Sequence, residues 1–443
     1  MTFELSLNSR LRKALFLAAI WLPGLLLASV AVRIAISATL AASTEISTLR
    51  RAIALDPANP KPYHRLGLIH SYSLEEGDPS EAVRYLRRAT ELSPHAARYW
   101  LDLTSACEAT GDTACANDAI ARALELRPMG PSFRWAAANY YLRTDQVEPA
   151  WTQFRRLLEI SPGHAQVVYR LALRASGDPQ LVLEKVVPTS PNPRMKLAYV
   201  DFLSAQGEHN LAFRVWRKAV ANTTSFPFNS ARGYLDRLLA LGRYEEAIGV
   251  WGDLRRLDVV TEARTADPEN LVFNGDFEQP LLNAGFDWHS PKAAYLSSDF
   301  SNRDAYRGSA CLRVDFTVRY NAEYEAAYQL VPVASNQVYE LRAYIRSEGI
   351  TSDSGPCLRV LDPACPGCLN ATTEMALGTT PWHPLNLRFT TGPQTRFIRL
   401  SVWRARSRSF PAEITGTFWL DGVSLKPAGA QSNSLALGLA ANP

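Results

Sequence analysis

The sequence predicts a multidomain chain: an apolar N-terminal helix, an all-α repeat array, and an all-β sandwich. Three observations carry this reading. Residues 14–32 contain no charged side chain. Pro57, Pro94, Pro128 and Pro162 recur at intervals of 37, 34 and 34 residues, each just after an apolar helix end. From Leu271 onward the pattern changes to short alternating runs separated by turn residues. At 443 residues the chain is too long for a single core. Its 47% hydrophobic and 20% charged content is that of an ordinary folded protein. A net charge of +4 with no basic cluster gives no case for nucleic acid as a partner.

At ~1.5 Å per residue the apolar run nearly crosses a ~30 Å hydrocarbon core. Residues 14–36 therefore read as a transmembrane anchor. Arg10, Arg12 and Lys13 precede it, which puts residues 1–13 in the cytoplasm. Pro23-Gly24 kinks such a helix without forbidding it. A cleaved signal peptide is the competing reading, because small residues at 37–43 suit a peptidase. Either way the bulk of the chain is exported. The anchor reading gives a single-pass protein of a bacterial-type inner membrane, with its bulk in the periplasm.

Residues 44–257 carry the proline period, and a fixed period of this length means stacked helical pairs. A proline past a helix end cannot continue the helix. Within one period, Trp100 and Leu103 come early, Gly111-Asp112 marks the turn, and Ala116, Ile120 and Ala123 follow. The unit at 58–94 keeps Tyr63, Leu66, Gly67, Ala82, Leu86 and Ala89, with extra residues near 74–76. These units resemble tetratricopeptide repeats, in which small residues sit where helices touch. Residues 163–188 look truncated, and degenerate units start at 193 and 228. The resemblance implies a solenoid that binds protein partners and has no chemistry of its own.

Residues 258–269 read as a linker, 270–427 as a β domain and 428–443 as a disordered tail. Strands are expected at 311–316, 328–333, 339–346, 357–361, 385–390, 397–403 and 417–425. The domain opens with Asn-Leu-Val-Phe-Asn-Gly-Asp-Phe-Glu at 270–278. It continues with Gly-Phe-Asp-Trp at 285–288 and Arg-Gly-Ser-Ala-Cys-Leu-Arg-Val at 307–314, and ends with Phe-Trp-Leu-Asp-Gly-Val at 418–423. It resembles the jelly-roll carbohydrate-binding modules attached to xylanases. That resemblance implies one structural calcium tying the first and last strands together. Its ligands would be the side chains of Glu278 and Asp421 and main-chain carbonyls near Asp276 and Arg307. Capping or arginine pairing by the same carboxylates is the alternative. No other cofactor is implied.

Alternation places Gln329, Arg359, Arg399 and Trp403 outward, with Leu330, Leu358, Val360, Ile398, Leu400 and Val402 inward. If their strands share one sheet, the four outward residues form a polar-aromatic face suited to an acidic polysaccharide. The alternative is a plain solvated sheet face. Six cysteines in an exported chain suggest disulfides. Cys107 and Cys115 face one helical seam, whereas Cys311, Cys357, Cys365 and Cys368 allow three pairings. Cys365-Pro-Gly-Cys368 lacks the helix of a redox motif and the second CxxC of a zinc site. No HExxH, Gly-x-Ser-x-Gly or P-loop occurs, so no catalytic residues are expected. The sequence thus reads as a non-catalytic, membrane-anchored scaffold. Its repeats would bind protein and its β domain glycan, in assembly or export of a surface polysaccharide. A purely protein-binding adaptor is the alternative.

Overall fold

A computed structural model describes residues 10–189, 192–223, 225–261, 267–293, 296–301, 304–316, 321–410 and 412–429. Most of the expected cytoplasmic segment (1–9), part of the linker (262–266) and nearly all of the expected tail (430–443) lie outside the described residues. The chain forms two compact units, Met1–Thr189 and Ser190–Pro443. Their boundary falls inside the helical array, not at the change of composition near residue 258.

The first unit is entirely helical among its described residues. Helix α1 spans Arg10–Leu40, and α2 spans Ile46–Leu55. Hairpins follow as α3 (Pro60–Tyr72) with α4 (Pro79–Leu92), α5 (Ala97–Ala109) with α6 (Thr113–Leu126), and α7 (Pro131–Arg143) with α8 (Val147–Ile160). The truncated unit is α9 (Ala165–Ser176) with the seven-residue α10 (Pro179–Lys185). Side chains of Asn59, Asp78, Asp112 and Asp178 accept main-chain N–H bonds at helix starts, satisfying donors that have no partner within the helix. Small residues set the helix spacing. A Cβ on Gly67 would lie 2.4 Å from Leu86 Cγ, so only glycine lets α3 and α4 approach this closely. Cys107 and Cys115 are disulfide-bonded, joining α5 to α6.

Helix α1 is long and apolar enough to cross a membrane, and its apolar side chains are exposed. Its last turns are not. Ser37 and Ala41 are buried, the Ser37 hydroxyl donates to the Ala52 carbonyl at 2.9 Å, and Asn59 Nδ2 donates to Ser37 Oγ at 3.2 Å. Of the small residues that would suit a peptidase, Ser37 and Ala41 are therefore buried, Ser37 against α2, whereas Ala38, Thr39 and Ala42 are exposed.

The second unit holds two helical pairs, α11 (Arg194–Ala205) with α12 (His209–Val220) and α13 (Asn229–Ala240) with α14 (Tyr244–Arg256). Nine strands follow: β1 Leu296–Ser301, β2 Cys311–Phe316, β3 Tyr324–Pro332, β4 Val338–Ile350, β5 Cys357–Leu361, β6 Asn370–Thr372, β7 Gly378–Thr390, β8 Phe397–Arg404 and β9 Gly416–Pro427. They form a two-sheet antiparallel sandwich, ordered β1-β2-β9-β4-β7 and β3-β8-β5-β6. Leu312, Val314, Leu341, Ile345, Leu358, Val360, Leu400, Val402, Phe418 and Leu420 fill the core between them. The opening segment lies along β9. Asn270 bridges Val423 O and Leu425 N, and Val423 N–H donates to Gly275 O at 2.8 Å.

The pair α13–α14 packs directly on the sandwich. Trp251 meets Phe273 edge-on at 5.3 Å and Phe286 at 5.7 Å, and Tyr244 lies 4.4 Å from Phe397. Phe397 is itself stacked on Phe286. Gly285 sits at φ +62°, and a Cβ there would strike Leu235 and Trp251, so this turn needs glycine twice over. Arg232 donates to Asn283 O, and Gly285 N–H donates to Asp236. Trp251→Ala should destabilise the second unit by about 3–5 kcal/mol, read as a lowered urea midpoint. A loss below about 1 kcal/mol would show the contact to be superficial.

Candidate functional site

The strands β3, β8 and β5 lie side by side in the four-stranded sheet. Because Ile398, Leu400 and Val402 enter the core, Arg399, Ser401 and Trp403 face outward. Arg359 pairs with Ser401 in register and joins them. Gln329 does not. It pairs with Leu400, is 1% exposed, and is bonded through both side-chain polar atoms to the main chain of Phe273. Leu330 pairs with Arg399 and faces outward in its place. The reason is that Ala327, Val331 and Val333 are the core residues along this stretch, not Leu330, so an alternation anchored on Leu330 puts every residue of the run on the wrong face. Tyr328, paired with Ser401, is the outward residue that simple alternation missed.

The outward face is a set of paired charges on aromatic rings. Arg399 lies over the Tyr328 ring at 3.5 Å and makes a forked salt bridge to Glu325. Burial opposes the Arg399 charge, but the Glu325 bonds outweigh it and hold this guanidinium above its ordinary pKa. Arg359 lies over the Trp403 ring at 4.6 Å, donates to Asn370 at 2.8 Å, and is 4.0 Å from Glu323. Trp403 Nε1–H donates to Glu323 at 3.1 Å. His289 stacks on the remaining side of this group, 4.7 Å from Tyr328 and nearly parallel. Both arginines thus already have anionic neighbours. That removes the free guanidiniums on which recognition of an acidic polysaccharide would depend.

At the end of the same strand, Arg404 is fully buried. It donates to the carbonyls of Ser354, Ala322 and Ala412 and to the Ser352 hydroxyl. Burial holds its pKa below the usual arginine range. An arginine at a strand end gives no sequence signal that it is structural.

The carboxylates assigned to calcium converge, but on N–H donors. Asp421 Oδ2 accepts from Tyr306 N and Arg307 N, and Oδ1 accepts from Gly422 N. Glu278 accepts from Ser309 N, Ser309 Oγ and Ala310 N. Gly308 makes this possible, since a Cβ there would lie 2.1 Å from Glu278 Oε1. Arg307 is held to Asp421 through its main-chain N–H. Asp276 Oδ1 accepts only a long 3.5 Å bond from Glu278 N. Both carboxylates are thus engaged by N–H and O–H donors from the 306–310 turn. Among the described residues no group of three or more His, Cys, Asp or Glu side chains could hold a metal.

Cys365 and Cys368 are bonded to each other. Cys311 on β2 and Cys357 on β5 are buried thiols in different sheets, so the sandwich has one bridge where four cysteines allowed two. Burial pushes their pKa values up to about 12 and about 11, which keeps both unreactive. Trp288 is core and Trp419 is buried between Arg313 and Arg346.

No family model matches the chain. Over 131 residues it is 32% identical to cellulose synthase operon protein C of Pseudomonas fluorescens (strain SBW25). That match covers 27% of this chain and 10% of the relative's length. Among solved structures, MamA is similar at 17% identity over 40% of this chain and 85% of MamA, with a TM-score of 0.25. The C-terminal family 22 carbohydrate binding module of Clostridium thermocellum Xyn10B is similar at 18% identity over 37% of this chain and 98% of the module, with a TM-score of 0.28. A family 16 carbohydrate binding module gives 18% identity over 35% and 99%, with a TM-score of 0.25. In class, the chain is an apolar N-terminal helix and a helical repeat region followed by a two-sheet antiparallel β-sandwich.

Two predictions follow from the loops around the site. Asp287 is fully buried, accepts a short bond from Leu282 N, and is pushed up to about 6 by burial, with its hydrogen bonds only partly opposing this. A raised carboxyl pKa means that the folded state holds the proton more tightly. Its stabilising contribution is therefore full below about pH 4 and lost as pH rises through about 6. Urea unfolding should show this unit losing about 2–3 kcal/mol from this group between pH 4 and 7, a loss that Asp287→Asn abolishes. An unchanged pH profile in the variant would contradict the assignment. Chelation with EDTA should leave the melting temperature unchanged while Glu278→Ala lowers it by several degrees, and a drop on chelation would show a bound cation.

Proposed function

We propose that this protein is a non-catalytic, membrane-anchored scaffold in polysaccharide assembly or export. Its repeats hold protein partners and the outward face of its four-stranded sheet holds a glycan. The observation that carries the glycan half is the group Tyr328, Trp403, Arg359 and Arg399. Its rings and balanced charges suit an uncharged, hydroxyl-rich sugar, which has an apolar ring face and a polar rim. The segment of similarity to a cellulose synthase operon protein supports the polysaccharide setting. Two disulfides support an oxidising compartment. The burial of Ser37 and Ala41 and the Ser37 bond to Ala52 of α2 support an uncleaved anchor, with the bulk of the chain in the periplasm.

A protein-only adaptor is the second reading, and one observation favours it. The Phe397 end of the same sheet face is already covered by Tyr244 and Phe286, so less of it is open than in a bare sandwich. The readings separate on full-length protein in detergent, titrated with neutral and uronate polysaccharides. The glycan reading expects a neutral polymer to bind with little salt dependence, and Trp403→Ala to weaken it at least about tenfold. Binding to no polymer would leave the adaptor, and binding to uronates alone would contradict the balanced-charge argument.

A further inference from the structure

A groove of about 760 Å³ opens between α2, α3 and α4 in the first unit. It is lined by the half-buried Ile53 and Tyr63 together with Arg50, Arg84, Arg87 and Arg88. Arg84 and Arg88 are paired to Glu81 and Glu91 one turn away. Arg50 and Arg87 are exposed and make no salt bridge among the described residues. Arg87 Nη2 donates to Cys115 Sγ at 3.7 Å, so the groove presents two guanidiniums without an anionic partner, of which Arg50 alone makes no side-chain bond among the described residues.

Its place along the chain says what it meets. The uncharged run of α1 ends at Val32. The next residue, Arg33, reaches the Ala54 carbonyl at 3.5 Å, and Ser37 reaches Ala52 at 2.9 Å. The C-terminal turn of α2 thus packs beside the residues of α1 that follow its uncharged run. Arg50 is four residues from Ala54, about 6 Å along the helix. Arg50 therefore lies within about two helical turns of the end of the uncharged run of α1.

We propose that this groove binds the headgroup of an anionic phospholipid, with the phosphate on Arg50 and Arg87 and the glycerol end over Ile53 and Tyr63. Guanidinium pairs with phosphate in a bidentate fashion, and basic pockets at a membrane surface select anionic headgroups. The inference rests on the reading of α1 as an uncleaved anchor.

The test uses full-length protein in nanodiscs of phosphatidylcholine mixed equally with phosphatidylglycerol, with retained lipid counted by native mass spectrometry. Wild type should retain phosphatidylglycerol over phosphatidylcholine by roughly tenfold. The double variant Arg50→Ala, Arg87→Ala should lose that preference while circular dichroism shows the helices intact. Equal retention of both lipids by wild type, or undiminished preference in the variant, would overturn the proposal. A soluble poly-glutamate probe that binds wild type while no lipid preference appears would assign the groove to an acidic protein segment and overturn it too. An intact mass lacking the N-terminal helix would instead bring down the anchor reading, and with it this inference.

Discussion

Five aromatic rings weld the last helical pair to the sandwich. Tyr244 and Trp251 come from α14, Phe273 and Phe286 from the opening loops of the β domain, and Phe397 from the start of β8. Each except Tyr244 is less than one-tenth exposed. Burying one large side chain is worth about 1.5–3 kcal/mol, so the cluster contributes on the scale of a domain's whole stability. A helical array and a β module would otherwise be joined only by a connecting segment, free to reorient. Here the module's orientation on its helical pair is set by packing.

That packing decides what the sheet face can do. The Phe397 end of the outward face is spent on the helices, and what remains is centred on Tyr328, Trp403, Arg359 and Arg399. The loop 283–289 links both roles, since Gly285 seats against α13 and α14 while His289 stacks on Tyr328. Asp287 lies buried in the same loop, so its ionisation acts on the support of the site as well as on stability. On the five-stranded sheet, the turn at 306–310 is held by Glu278 and Asp421 through N–H bonds.

Much of the fold was legible because its signals are local. The helix-ending prolines announce the hairpins, and the alternating runs at 311–316, 357–361 and 397–403 coincide closely with β2, β5 and β8. Strands β1 and β6 were not legible. One is the polar edge run Leu-Ser-Ser-Asp-Phe-Ser, and the other has only three residues. Half of the site was legible too, since Arg359, Arg399 and Trp403 share a face. Gln329 was misplaced because Leu330 and Val331 are equally apolar neighbours and alternation was anchored on Leu330, whereas Val331 is the one that enters the core. Pairing of Arg399 with Glu325 and burial of Arg404 are non-local, and alternation says nothing about either. The aromatic weld was hidden for another reason. Trp251 and Phe397 each look like ordinary core residues of their own element, and only the assembled unit shows that they share a contact network.

The account turns on the last helical pair and the sandwich being a single cooperative body. Native-state hydrogen exchange on the full-length protein measures this directly. The amides of Leu238 and Leu254 should exchange with the same opening free energy and denaturant dependence as those of Leu400 and Val402. Exchange of the helical amides through a smaller opening, with the β8 amides still protected, would contradict it.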